Sequence, residues 1–152
     1  MFAAEDRDGF DRLEDEIRLA TAAAPGLFAA VVAEACSRTG GLRKAGKAAR
    51  IDRLIESGAF TDAALALIAL ELPAWTLRRL VRLDGQWLCS LSQRANLPVT
   101  LDDTADASHE VLPLAILLAF LQARRMAATK AGSAVPNVIP AADCVIACDN
   151  FA

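Results

Sequence analysis

One histidine, His109, stands in a run of acids and is the only imidazole the chain can offer to proton transfer. Glu110 follows it directly and Asp106 precedes it by three residues, so the three form the candidate catalytic group. An imidazole titrates near neutral pH, and neighbouring carboxylates can orient it or accept its proton. The pattern His109-Glu110-Val-Leu-Pro113 lacks the second histidine of the H-E-x-x-H zinc motif. The acids Asp102, Asp103, Asp106 and Glu110 also fail as a calcium loop. The positions of its central glycine and terminal glutamate hold Ala107 and Pro113. Their simpler role is to charge the start of a helix.

Four cysteines, Cys36, Cys89, Cys144 and Cys148, are the other soft ligands. No tight C-x-x-C pair anchors a zinc site, and neither a metal nor a cofactor is expected. In a reducing compartment such thiols act as small buried hydrophobes. Gly41-Leu-Arg-Lys-Ala-Gly46-Lys47-Ala48 matches a phosphate-binding loop except at its last position, where the hydroxyl that ligates magnesium is missing. A helix rather than a strand is expected before it, so a basic solvent-exposed loop is the better description.

Between Arg38 and Arg53 lie six basic residues and one acid, Asp52. Arg43, Lys44, Lys47 and Arg50 are therefore the candidate contacts if the chain binds nucleic acid, with Arg78, Arg79 and Arg82 assisting. Against this, residues 62–72 form the best helix-turn-helix reading helix, carry no Lys or Arg, and include Asp62 and Glu71. Phosphates would repel such a helix, and the net charge of −3 adds nothing in its favour.

The elements that must position these residues follow from periodicity. Phe10, Leu13, Ile17, Ala20 and Ala24 share one face and predict a helix over about Asp8 to Ala24. Pro25 suits the first position of a second helix ending near Thr39, before Gly40-Gly41. A third helix should start near Ala45–Ala48 and stop at Gly58. Thr61 should cap a fourth, Asp62 to Leu72, with Phe60 packing on Leu65 as a hydrophobic staple. Pro73 ends it.

Residues 75–92 then read as a β-hairpin turning at Asp84-Gly85, a pair suited to the positive φ angles of a type I′ turn. That turn sets Trp87 opposite Arg82 and Leu88 opposite Val81. One face carries Leu77, Val81, Leu83 and Leu88, and the other Leu80, Trp87, Cys89 and Leu91. Both faces are largely apolar, so both call for covering layers or for a partner. Trp75, Trp87, Arg78 and Arg82 are accordingly the candidate interface residues. A polar loop should lead to a last helix, Pro113 to Ala128. Asp143-Cys-Val-Ile-Ala-Cys148 reads as a short strand at an edge of the hairpin.

Length and composition bound the whole. A chain of 152 residues fits one domain, with flexibility expected at residues 1–7 and in the basic loop 40–47. The longest uncharged apolar run, Val111 to Leu121, falls short of the roughly 20 residues of a spanning helix. The acidic start, Met1-Phe-Ala-Ala-Glu-Asp-Arg-Asp, lacks the pattern of a secretory signal. The expected place is the cytoplasm. Tyr is absent, and aromatic platforms for stacking bases are scarce.

The stretch Leu72-Pro-Ala-Trp-Thr-Leu-Arg-Arg-Leu-Val-Arg-Leu-Asp-Gly-Gln-Trp-Leu-Cys-Ser-Leu-Ser92, with Ser108-His-Glu-Val-Leu-Pro-Leu-Ala115 and the closing Cys148-Asp-Asn-Phe-Ala152, resembles small uncharacterised bacterial proteins. The resemblance covers about the second half of the chain and implies no activity.

The expected fold is α+β and predominantly helical, with about five helices and a small two- or three-stranded antiparallel sheet. The leading functional expectation is a non-catalytic intracellular interaction or accessory module, expected to be a homo-oligomer, whose partner is itself or another protein. A small enzyme or ligand-binding protein using His109 and its carboxylates is the alternative, and nucleic-acid binding through residues 38–53 the second.

Overall fold

The computed structural model describes residues 2–35 and 45–133. They form five helices and a three-stranded antiparallel sheet, an α+β fold that is mostly helical. The order is α1 (Phe2–Leu19), α2 (Pro25–Ala35), α3 (Ala45–Glu56), α4 (Phe60–Glu71), β1 (Thr76–Leu83), β2 (Gln86–Ser92), β3 (Thr104–His109) and α5 (Leu112–Ser133). A single 3-10 turn, Val99–Leu101, interrupts the loop before β3.

The N-terminal helices meet the core along narrow apolar stripes. Leu13 and Ile17 of α1 are buried, flanked by Phe10 and Ala20. This helix begins at Phe2, within the segment expected to be flexible, and stops at Leu19 rather than Ala24. Pro25 bars a helix that includes Ala24, because it disfavours helical backbone in the residue before it, while the chain leaves the helix already at Leu19. Ala24 instead stands just outside α2, its carbonyl accepting from Leu27 N–H at 3.1 Å.

Gly58, at φ +78°, ends α3. Its N–H donates to Ile55 O at 3.1 Å while Ala59 N–H donates to Leu54 O at 2.8 Å, the paired bonds of a Schellman turn. The start of α4 differs from expectation. Its N-cap is Ala59 with no side-chain cap bond, and Phe60 lies inside the helix. Phe60 stacks on Phe28 of α2, with ring centroids 5.3 Å apart. Aromatic contact between helices has replaced the local cap.

Helix α5 is the centre of the molecule. Every residue from Leu114 to Leu121 is buried, and the helix packs on α1, α4, β2 and β3. Leu112–Lys130 is long and apolar enough to cross a membrane by length and composition, yet half of it is buried inside the fold. That is the position of a core helix. Pro113 falls in its first turn, where a missing N–H costs no helical bond.

The hairpin has the anticipated register: Arg82 pairs with Trp87 and Val81 with Leu88. Asp84 and Gly85 take φ of 51° and 82°, as a type I′ turn requires. A bulge between Leu77 and Arg79 sets Leu77 opposite Leu91 instead of in step with Val81. The third strand is Thr104–His109, where a polar loop was expected. The strand expected at 143–148 lies outside the described residues, as does most of the basic loop 40–47.

Thr-Ala-Asp-Ala-Ser-His does alternate, but two of its three inward residues are alanines. By register Ala105 and Ala107 share the face of Leu91 and Cys89, against which α5 lies. Replacing Ala105, fully buried there, by Leu should overpack this contact and cost about 1–3 kcal/mol. Ser108→Leu, on the exposed side of the same strand, should stay within about 0.5 kcal/mol of the parent. Urea unfolding of the two variants checks the alternation.

Candidate interaction surface

The sheet is wider than the helix that covers it. Helix α5 packs on β2 and β3, whereas β1 packs mainly on β2. Strand β1 therefore overhangs the helical layer. Leu77 is 41% exposed and Leu83 55%, while Leu80 and Val81 are half-buried. Trp87 is half-buried at the base of the turn, with the Arg82 guanidinium 5.9 Å from its ring centroid. That stacking covers part of the indole and leaves the cation in water. On the outer face Arg79, Val81 and Leu83 run beside Leu88 by register. The result is an apolar ribbon edged with arginines.

The four candidate interface residues divide into two pairs. Trp75 packs in the core at 4% exposure and presents nothing to a partner. Arg78, at the bulge, is held internally: it donates to Asp102 Oδ2 at 2.5 Å, to Leu97 O at 2.7 Å and to Arg94 O at 3.4 Å. Ser92 Oγ donates to the same Asp102 oxygen at 2.5 Å and accepts from Arg94 N–H. With the Asp102 side chain only 2% exposed, this ion pair pins the 93–103 loop over one end of the sheet. Arg82 and Trp87 stay at the surface, and Val81, Leu83 and Arg79 join them. The signal for the last three was the apolar character of both hairpin faces.

His109 is buried, and its Nδ1 accepts from Val111 N–H at 2.9 Å. It ties down the backbone at the entrance to α5, so the imidazole acts as a local cap. Register places it opposite Trp87 on the core face. Asp106 is three positions away on β3 and faces the other side, where it accepts from Ser90 Oγ and from Thr104 Oγ1 at 2.7 Å. Glu110 is exposed beyond the strand. The strand thus separates the imidazole from Asp106 instead of bringing them together.

Cys89 is fully buried on the core face, and its thiol is pushed up to about 12, first by burial and then by the charge of Asp106. Cys36, Cys144 and Cys148 lie outside the described residues. Among the described residues no group of three or more His, Cys, Asp or Glu side chains could hold a metal ion.

A shallow polar cleft of about 230 Å³ separates Glu14 and Arg18 of α1 from Asp106–Ser108 of β3, with Leu118 and Gln122 of α5 at its floor. The charges on its helical side are already matched. Glu14 pairs with Arg18 and, at 2.8 Å, with Arg125, which also reaches Asp11. Of the basic segment, Lys47 and Arg50 are exposed on α3, and Arg43 and Lys44 lie outside the described residues. Helix α4 exposes only Asp62 and Ala69.

No protein-family model, curated protein or solved structure matches the chain.

Two expectations follow from these buried groups. Asp102→Asn should cost about 3–5 kcal/mol, because it leaves the Arg78 cation largely buried without its counter-charge. The double variant Arg78→Met, Asp102→Leu should lie closer to the parent than either single change, as denaturant midpoints would show. For Cys89 the folded thiol keeps its proton up to about 12, against the 9.0 of a thiol in water. Between those values the unfolded chain ionises first, so stability falls as pH rises, by about 1.4 kcal/mol per unit. Cys89→Ala lacks this component and should lose stability less steeply than the parent between pH 9 and pH 12 in urea titrations.

Proposed function

We propose that the chain is a non-catalytic interaction or accessory module that acts in the cytoplasm and self-associates through its hairpin. The observation that carries this reading is the overhang of β1 beyond α5, which leaves Leu77 exposed, with Leu83 exposed on the outer face and Arg82 laid over Trp87. A small fold gains nothing from presenting leucines to water on a strand with one open edge. Covering that strand removes apolar area from water and satisfies its outward N–H and C=O groups.

The polar groups elsewhere support the same reading by being occupied. His109 caps α5, Asp106 is held by two hydroxyls, Arg78 is tied to Asp102, and Glu14 to two arginines. These contacts serve positioning of the backbone. A buried free thiol such as Cys89 suits a reducing compartment.

Light scattering of the purified protein at micromolar concentration should report a multiple of the 16.1 kDa chain mass. Leu83→Asp, a change at an exposed position, should return the mass to a single chain that still unfolds cooperatively, with a melting temperature no longer dependent on protein concentration. A single-chain mass across the whole accessible concentration range would overturn the proposal.

A further inference from the structure

The charges on β1 select how two copies meet. We infer that β1 pairs with β1 of a second copy, antiparallel about a two-fold axis at Val81, joining the two sheets into one. This rests on the self-association proposed above and adds its geometry.

Strand order leaves β1 at one edge of the sheet, and β3 at the other edge faces α1 across the polar cleft. Within β1 the bulge at Arg78, and that residue's bonds to the 93–103 loop, commit the first part of the strand. Arg79–Leu83 is what stays free to pair. An isologous antiparallel pair keeps each sheet face continuous only when a residue meets its own copy at the axis. Five centres are then available, but one at Leu83 sets Arg82 against the partner's Asp84 and Val81 against the partner's Gly85, so most of its pairing would fall in the turn rather than on the strand.

An axis at Arg79 or at Arg82 sets a guanidinium directly against its copy, and like charges directly opposed are unfavourable. An axis at Leu80 brings Arg82 alongside Arg78, again two cations. An axis at Val81 avoids every such clash: Val81 meets the partner's Val81, Arg79 meets the partner's Leu83, and Leu80 meets the partner's Arg82. It also carries the partner's Asp84, one step past Leu83, to the level of Arg78, an acid against a basic stretch, and symmetry repeats this. On the outer face Val81, Leu83 and Leu88 of the two copies then form one apolar band.

Disulfide trapping tests the register in the full chain, with Cys36, Cys144 and Cys148 replaced by serine and the buried Cys89 retained. Directly opposed residues have Cβ atoms about 4.5–5.5 Å apart, close to disulfide reach after a small adjustment. Under mild oxidation Val81→Cys alone should give a covalent dimer. Arg79→Cys and Leu83→Cys should each stay single-chain when alone and cross-link when mixed. Arg79→Cys or Leu83→Cys linking to itself as fast as Val81→Cys would overturn the Val81 register. Failure of all three to link, while light scattering still reports association, would overturn edge pairing and leave self-association standing. A single-chain mass by light scattering would remove both.

Discussion

Burial of α5 on all sides is the constraint from which the other arrangements follow. A helix whose residues from Leu114 to Leu121 are all inaccessible must be enclosed by several elements at once. The N-terminal helices supply one side and the sheet the other. An outer element such as α1 therefore needs only one apolar stripe, which explains how it can carry so many charges and still pack through Leu13 and Ile17. It also explains why the strand beneath α5 is lined by Ala105 and Ala107. Small side chains let the helix approach the sheet closely.

The same constraint fixes what is left outside. One helix is narrower than three strands, so a sheet that buries its centre and one edge under α5 exposes the other edge. Arginines at 79 and 82 and the bulge at Arg78 are devices that natural edge strands use against indiscriminate pairing. Here the bulge limits the edge to a short stretch, the arginines exclude three of its five symmetric registers, and the turn disfavours a fourth. Features that protect an edge against random partners can specify one partner.

How far the sequence revealed this depended on whether each signal was local. The hairpin was legible to the residue, because Asp84-Gly85 dictates turn type and turn type dictates register. Helices α2, α3 and α4 were legible from Pro25, Gly58 and Pro73, each of which acts within a few residues. Strand β3 was not. Its inward residues are chosen by contact with α5, a partner that follows it in sequence, and small residues give no hydrophobic alternation to detect. The cap of α4 failed for a related reason, since Phe28 on another helix sets the position of Phe60.

The candidate site was hidden by similar non-local pairing. His109 and its acids look like chemistry in one dimension, yet a strand sends alternate side chains to opposite faces, and three positions is an odd separation. Arg78 and Arg82 look equivalent along the chain. The bulge and the distant Asp102 draw the first into an internal ion pair, and the register with Trp87 holds the second at the surface. Charge type was visible at each position, but the residue that answers each charge was not. What a polar side chain can do for a partner is settled by what the fold has already asked of it, and on this hairpin Arg79, Arg82 and Asp84 at the turn are left exposed.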